Sequence, residues 1–371
     1  MPTISKVFFT DMQTKHHNNL LDKFERLLNK ANISEIDFKD KFTAIKLHFG
    51  EPGNLGFVRP NYARKVVDKV RELGGKPFLT DSNVLYWGKR GNAVDHILTA
   101  YENGFNPLTT GANVIIADGL TGKAHAKVPV NLKHIKEAKI GSAIFDANII
   151  ISLTHFKGHI TAGFGGTLKN IGMGCGSRQG KMEMHSEEKP AIDEEMCIAC
   201  GACIKYCPEK AISYNVNHKA QINYKKCIGC GQCIVSCHYG AAQGSHDGDA
   251  TILNEKIAEY TFAALKGKPA FHISMIMNVS PDCDCFGFND RSIVPDIGMA
   301  ASFDPIALDR VCVDLVNAAP LLPGGSIDAN GWTEGADKFN HVHPNSHWQA
   351  ALDHGEAIGL GSQNYELIKF N

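Results

Sequence analysis

The stretch "ANIIISLTHFKGHITAGFGGTLKNIGMGC" at 147–175 decides the fold. It opens on "ANIIISLTHF" (147–156), an apolar run rich in isoleucine, which reads as a buried strand. Between 155 and 175 lie six glycines, two histidines and two lysines. "TAGFGGTLKNIG" then reads as the start of a helix whose first turns carry Gly163, Gly165 and Gly166. A buried strand feeding a helix is part of a βαβ unit. If the pattern recurs, the sheet is parallel.

It does recur. "SKVFFTD" (5–11), "FTAIKLHFGE" (42–51), "KPFLTDS" (76–82) and "NVIIADG" (113–119) read as strands. Helical periodicity occupies 19–31, where Leu20, Phe24, Leu27 and Leu28 share a face. Helices are also expected over 60–75, with proline near its start and glycine past its end, and over 91–104. Later in the chain come helix 252–266, strand 269–277, helix 304–318 and a helix near 347–357. The expected fold is α/β, a mostly parallel sheet with helices on both faces, plus a small inserted α+β unit.

That insert is read from cysteines. Of twelve in the chain, eight lie between 197 and 237. "CIACGACIKYCP" (197–208) and "CIGCGQCIVSCH" (227–238) each follow C-x2-C-x2-C-x3-C. A tight loop brings three thiolates onto one iron–sulfur cubane, and the fourth crosses to the other cluster. Cys197, Cys200, Cys203 and Cys237 are expected to hold one [4Fe–4S] cluster. Cys227, Cys230, Cys233 and Cys207 are expected to hold a second. A zinc ribbon or a disulfide set would use cysteine too, but two complete tandem motifs disfavour both.

Over about 190–245 the chain resembles bacterial two-cluster ferredoxins, with "AISYNVNHKAQINY" between the motifs read as a hairpin. It departs from that pattern at His238, where the family has proline. The expected organisation is residues 1–188 and 247–371 as two parts of the α/β domain, with a ferredoxin-like insertion at 189–246.

The expected strands end on chemistry: Asp11, His48 with Glu51 nearby, Asp81, Asp118, His155, and Asn278 followed by "PDCDC" (281–285). In a parallel sheet these ends meet along one edge, where open α/β folds bind ligands. Helix capping is the plainer explanation for any one of them. The glycines at 163, 165 and 166 would expose backbone N–H groups to an anion, with Lys157 and Lys169 adding charge. Close helix–strand packing would also use glycine there. The stretch is neither a Walker loop nor G-x-G-x-x-G. Cofactor-binding candidates are therefore Gly163, Gly165, Gly166, Asp81 and Asp118. Catalytic candidates are His155, His159, Lys169 and His185. Cys283 and Cys285 are two apart, suited to chelating a soft metal with Cys175 or His185. Cys312 reads as core.

The chain also resembles the uncharacterised iron–sulfur centre proteins that hold domain of unknown function 362. The matching stretches are 155–185, "PDCDCF" (281–286), "DIGMAASFDPIALDRVCVDLVN" (296–317) and 343–368. "GGTLKNIG…MH" is similar in outline to lactate racemases with a lysine-attached nickel pincer cofactor. That likeness implies Lys169 as the attachment point and His155, His159 or His185 as acid, base or ligand.

The formal charge of −1 and the lack of any Lys/Arg-rich run disfavour nucleic acid as a partner. Apolar runs are too short to span a bilayer, and the start of the chain lacks the pattern of a signal peptide. A cytoplasmic setting is expected, with a redox partner protein or small-molecule electron donor or acceptor. The oligomeric state stays open. The expected function is an iron–sulfur redox enzyme passing electrons to a substrate or second cofactor, metal or organic, at the strand-end cleft. The alternative is a ferredoxin-type carrier or redox sensor docking to a larger complex.

Overall fold

The computed structural model describes residues 4–85, 88–185, 190–207, 209–227, 233, 236–237, 239, 241–244, 249–329 and 332–371. Eight strands make its main sheet: β1 (Ser5–Asp11), β2 (Phe42–Lys46), β3 (Lys76–Asp81), β4 (Val114–Ile116), β5 (Ile149–His155), β6 (Ala270–Ile276), β7 (Gly298–Ser302) and β8 (Tyr365–Lys369). Their order is β8-β1-β7-β6-β5-β2-β3-β4. All neighbours run parallel except the two pairs that include β7. Seven strands therefore point their C-terminal ends to one edge.

Helices cover both faces. In β5, Ile149, Ile151 and Leu153 pack with α1 (Leu20–Lys30) and α2 (Pro60–Glu72) through Phe24, Leu27, Val66 and Val70. The intervening Ile150 belongs to the opposite core. That core holds Leu168 and Ile171 of α4 (Thr167–Cys175), Ile257 of α6 (Ala250–Leu265) and Val311 of α7 (Pro305–Ala318). Two-residue alternation within an all-apolar strand is how a doubly covered sheet fills two layers. Helix α3 (Ala93–Glu102) joins the first core through Ala100, and α5 (Arg178–Met184) joins the second through Met184.

The glycine stretch differs from expectation. Lys157–His159 and Gly163–Gly165 form a small antiparallel hairpin, and α4 begins only at Thr167, with Gly166 as its N-cap. Part of the glycine content is clearance. A Cβ at Gly158 would lie 1.9 Å from the Pro281 carbonyl oxygen, and one at Gly172 would lie 2.2 Å from that of Ile257.

Because β7 reverses, the chain leaves β6 and re-enters β7 at the same edge, where Ile276 faces Gly298. Loop 277–297, which carries Cys283 and Cys285, is thus tied to the C-terminal edge at both ends. The cysteine-rich segment builds its own small sheets. Ile212–Tyr214 pairs with Ala220–Ile222 as a hairpin, and Pro190–Ile192 pairs with Ala242–Gly244. Ile212, Ala220 and Ile222 form a separate core with Cys197, Cys203 and Cys233. No helix among the described residues is long and apolar enough to cross a membrane.

Candidate functional site: a basic, thiol-bearing cleft at the sheet edge

A cavity of about 50 Å³ opens at the C-terminal edge of β2, β3 and β5, roofed by α4, α5 and loop 277–297. Lys46, the last residue of β2, is buried. Its Nζ sits 3.0 Å from Asp81 Oδ1 and donates to Asn170 Oδ1 at 2.9 Å. Burial pushes the Asp81 carboxyl up, but Lys46, with His96, Lys181 and Arg90, holds it below its ordinary value. Arg90 Nε is 2.6 Å from Glu51 Oε2. Lys181 of α5 donates to the Gly176 carbonyl at 2.7 Å, and burial lowers its pKa to about 8.

At the other end of the cavity lie the thiols. Lys169 of α4 places Nζ 3.8 Å from Cys283 Sγ. A hydrogen bond from Cys285 holds Cys283 well below the ordinary thiol range against burial, helped by Lys169 and Lys157. The same bond, with burial, pushes Cys285 well above it. The two thiols thus titrate as a pair, with Cys283 the more readily ionised member.

Lys157 lies 3.2 Å from Asp284 Oδ2 and donates to the His155 carbonyl at 2.9 Å. Burial opposes its charge, yet Asp284 and Cys283 raise its pKa. Asp284 is fully buried, which would raise its carboxyl; His155 and Lys157 hold it below the carboxylate range instead.

The candidates read from sequence separate into groups. Lys169, Cys283, Cys285, Asp81, Gly165 and Gly166 line the cleft. His159 joins the thiols, since one of its ring nitrogens and both sulfurs lie within 4.8 Å of one another. The expected third partner was Cys175 or His185. Cys175 instead ends α4 in the core, its thiol pushed up to about 12 by burial, and His185 caps the C-terminus of α5.

His155 is not free to act as a base. Its Nδ1 faces Asp284 Oδ1 at 2.9 Å, and its Nε2 faces the carbonyls of Met277 and Asn278 at 2.9 and 3.1 Å. Asp118 also stands behind the cleft, accepting from Asn83 N and Nδ2 at 2.9 Å and from the Arg178 amide at 3.1 Å. Gly163 packs against Trp348, where an added Cβ would come within 2.7 Å. Asp11 pairs with Lys23 at 2.5 Å and does not line the cavity.

The start of α4 is not an open anion site. Asp309 of α7 already takes the amides of Thr167 at 2.6 Å and Leu168 at 2.9 Å. Beside Lys157 and Lys169, charge in the cleft comes from Lys46, Arg90 and Lys181, which the sequence reading did not single out. Lys46 had a usable signal, a lysine inside the apolar strand "FTAIKLHF". Arg90 and Lys181 had none.

Cys283 and Cys285 suit a soft metal by ligand type. His159 fits less well. Its Nδ1 accepts from the amides of Thr161 and Ala162 at 3.2 and 3.0 Å, and burial keeps the ring neutral, so Nε2 carries the proton. As oriented, the ring offers no free lone pair.

A second, smaller cavity of about 20 Å³ lies in the cysteine-rich segment, lined by Cys197, Cys200, Cys203 and Cys237. The loop reaches this shape through left-handed backbone at Ala199 (φ 58°) and Gly201 (φ 74°). The Ala220 amide donates to Cys197 Sγ at 3.4 Å and the Ala211 amide to Cys207 Sγ at 3.2 Å. Of the other expected set, Cys207, Cys227 and Cys233 are described; Cys230, like His238, lies outside the described residues.

A family model described as "Domain of unknown function (DUF362)" matches residues 43–314. A thylakoid-associated protein of Synechocystis is 29% identical over 136 residues, covering 37% of this chain and 38% of that relative. The chain thus matches well under half the length of that protein. The lactate racemase apoprotein of Thermoanaerobacterium thermosaccharolyticum aligns with a TM-score of 0.37 at 12% identity, over 74% of this chain and 51% of that one. A Thermotoga maritima protein aligns with a TM-score of 0.41 at 13% identity, over 80% and 57%. Neither structural likeness bears on function at this level.

Proposed function

The chain belongs to the family of domain of unknown function 362, and we propose that it is an iron–sulfur redox protein that moves electrons between two [4Fe–4S] clusters and the strand-end cleft. The observation that carries the reading is the cavity lined by Cys197, Cys200, Cys203 and Cys237. The fourth cysteine comes from the far motif, 34 residues beyond the third, as cross-ligation of two clusters requires. The alternation of two such sets makes 189–246 a cluster-bearing insertion. Cys207, Cys227, Cys230 and Cys233 would hold the second cluster. The clusters supply one-electron steps; the protein's own groups set their environment. Amides aimed at Cys197 and Cys207 stabilise thiolate charge, and Cys200 is exposed, which gives an outside donor or acceptor an approach.

In the cleft, Cys283, Lys169 and His159 are the groups placed to meet a substrate or second cofactor. His155 and Asp284 act by holding Lys157 in place. Cysteine usage of this kind fits a reducing compartment such as the cytoplasm. A soft metal on Cys283 and Cys285 is compatible with the thiols once the His159 ring turns. The carrier alternative draws on the exposure of Cys200 alone and leaves the buried ionic groups of the cleft unexplained.

The test is iron and acid-labile sulfide analysis of anaerobically purified protein, with EPR after dithionite. About eight irons per chain and interacting reduced-cluster signals are expected. Zinc at one or two per chain, or no metal with paired cysteines, would overturn the reading.

A further inference from the structure

The cleft is rich in cations, and one of them, Lys181, has no anion in hydrogen-bond contact. Lys46, Arg90, Lys157, Lys169 and Lys181 all line it. Asp81, Glu51 and Asp284 pair with Lys46, Arg90 and Lys157. Lys169 and Lys181 have no carboxylate partner among the described residues. Lys169 is next to Cys283, and Lys181, only 6% exposed, reaches a single neutral acceptor, the Gly176 carbonyl. Asp118 and Asp81 favour its charge only from beyond ion-pair distance, and burial still outweighs them. A counter-anion in the adjoining cavity would correct that.

The shape agrees. The backbone of α4 comes up against the cation cluster, since a Cβ at Gly174 would lie 2.4 Å from Lys46 Nζ. The space of about 50 Å³ suits one compact charged group, not a whole nucleotide. The opposite wall is the Cys283–Cys285 pair.

We propose that the cleft binds a small organic anion by a carboxylate or phosphate group held by Lys181 beside the Lys46–Asp81 pair, with the remainder of the molecule toward Lys169, Cys283 and Cys285. This names a substrate class for the redox reading above and rests on it, but binding itself needs no electron.

The experiment is calorimetric titration of the full, anaerobically purified chain with inorganic phosphate and, separately, with malonate. Wild type is compared with Lys181→Met, Lys181→Arg and the surface variant Lys127→Met. One saturable site per chain is expected, weakened at least tenfold in Lys181→Met, kept in Lys181→Arg and unchanged in Lys127→Met; a tenfold loss is about 1.4 kcal/mol. Tighter phosphate points to a phosphorylated substrate, and tighter malonate to a carboxylate. Saturating anion should also slow iodoacetamide alkylation of Cys283, which lines the same cavity. If wild type binds neither anion saturably, or Lys181→Met binds as well as wild type, the proposal falls. Iron content reports separately: anion binding without iron removes the electron-transfer reading alone, and iron without anion binding removes this one alone.

Discussion

Replacing Lys169 with methionine tests the electrostatics of the cleft most directly. The ammonium lies 3.8 Å from the Cys283 sulfur. At an effective dielectric of about 20, opposite charges at that distance attract by about 4 kcal/mol. Lys169 is half-buried and faces the open cavity, so water and salt reduce this. About 2 kcal/mol is a reasonable remainder, equal to a roughly thirtyfold fall in thiolate fraction on the rising limb of the pH–rate profile. The rate falls less, by roughly fivefold, because a thiolate of higher pKa is the better nucleophile. The assay is iodoacetamide alkylation of Cys283 across pH, read by mass spectrometry of the peptide that carries it, with Lys169→Arg as the charge-retaining control. Lys169→Met should move the profile to higher pH and Lys169→Arg should not. An unchanged profile in a normally folded Lys169→Met protein would refute the charge coupling, and Cys283 would then owe its low pKa to Cys285 and Lys157.

Other outcomes follow from buried charge and close packing. Asp309 is fully buried, and burial lifts its carboxyl from 3.8 to about 6 despite two amide donors. Its folded pKa lies above the unfolded one, so the folded state binds more protons between them, and stability is lost as pH rises through that window. The loss totals about 3 kcal/mol, most of it between about pH 4 and 6, and is complete by about pH 7. Asp309→Asn should remove that slope in urea melts at stepped pH; an unaltered slope would reassign the titration. Asp284→Asn leaves Lys157 and His155 without their shared carboxylate and should cost about 3–5 kcal/mol, and a loss under 1 kcal/mol by urea melts would show the pair to be solvated. Gly158→Ala pushes a methyl into the Pro281 carbonyl, and should cost at least about 1–3 kcal/mol and alter Cys283 alkylation through the displaced loop; wild-type stability would mean the hairpin shifts freely.

The strands of this fold were legible because strands buried on both faces read as unbroken apolar runs, and "ANIII" cannot be mistaken for a surface. Two strands of the main sheet were missed for opposite reasons. "GMAAS" (β7) has little β-propensity, and its glycine is there because a Cβ at Gly298 would meet the Thr10 carbonyl oxygen at 2.4 Å. β8 lies at the sheet edge, where alternation is short and weak. His159 and the "CDC" thiols could be found because they lie in the segments just after strand ends, and Lys169 because it follows the glycine run. His155 was placed at the right edge with the wrong freedom, since only the fold brings Asp284 and two carbonyls to its ring. Asp309 is more than a hundred residues from the amides it caps, beyond any local pattern.

The pairing of Pro190–Ile192 with Ala242–Gly244 has a consequence for how such a chain is assembled. The two cords entering the cysteine-rich segment are stitched side by side, so the chain departs and returns at nearly one point. A cassette with that geometry could be inserted, lost or exchanged during evolution without altering the order of any strand. It could also complete its own folding late, after the sheet, with no need to thread one part through another.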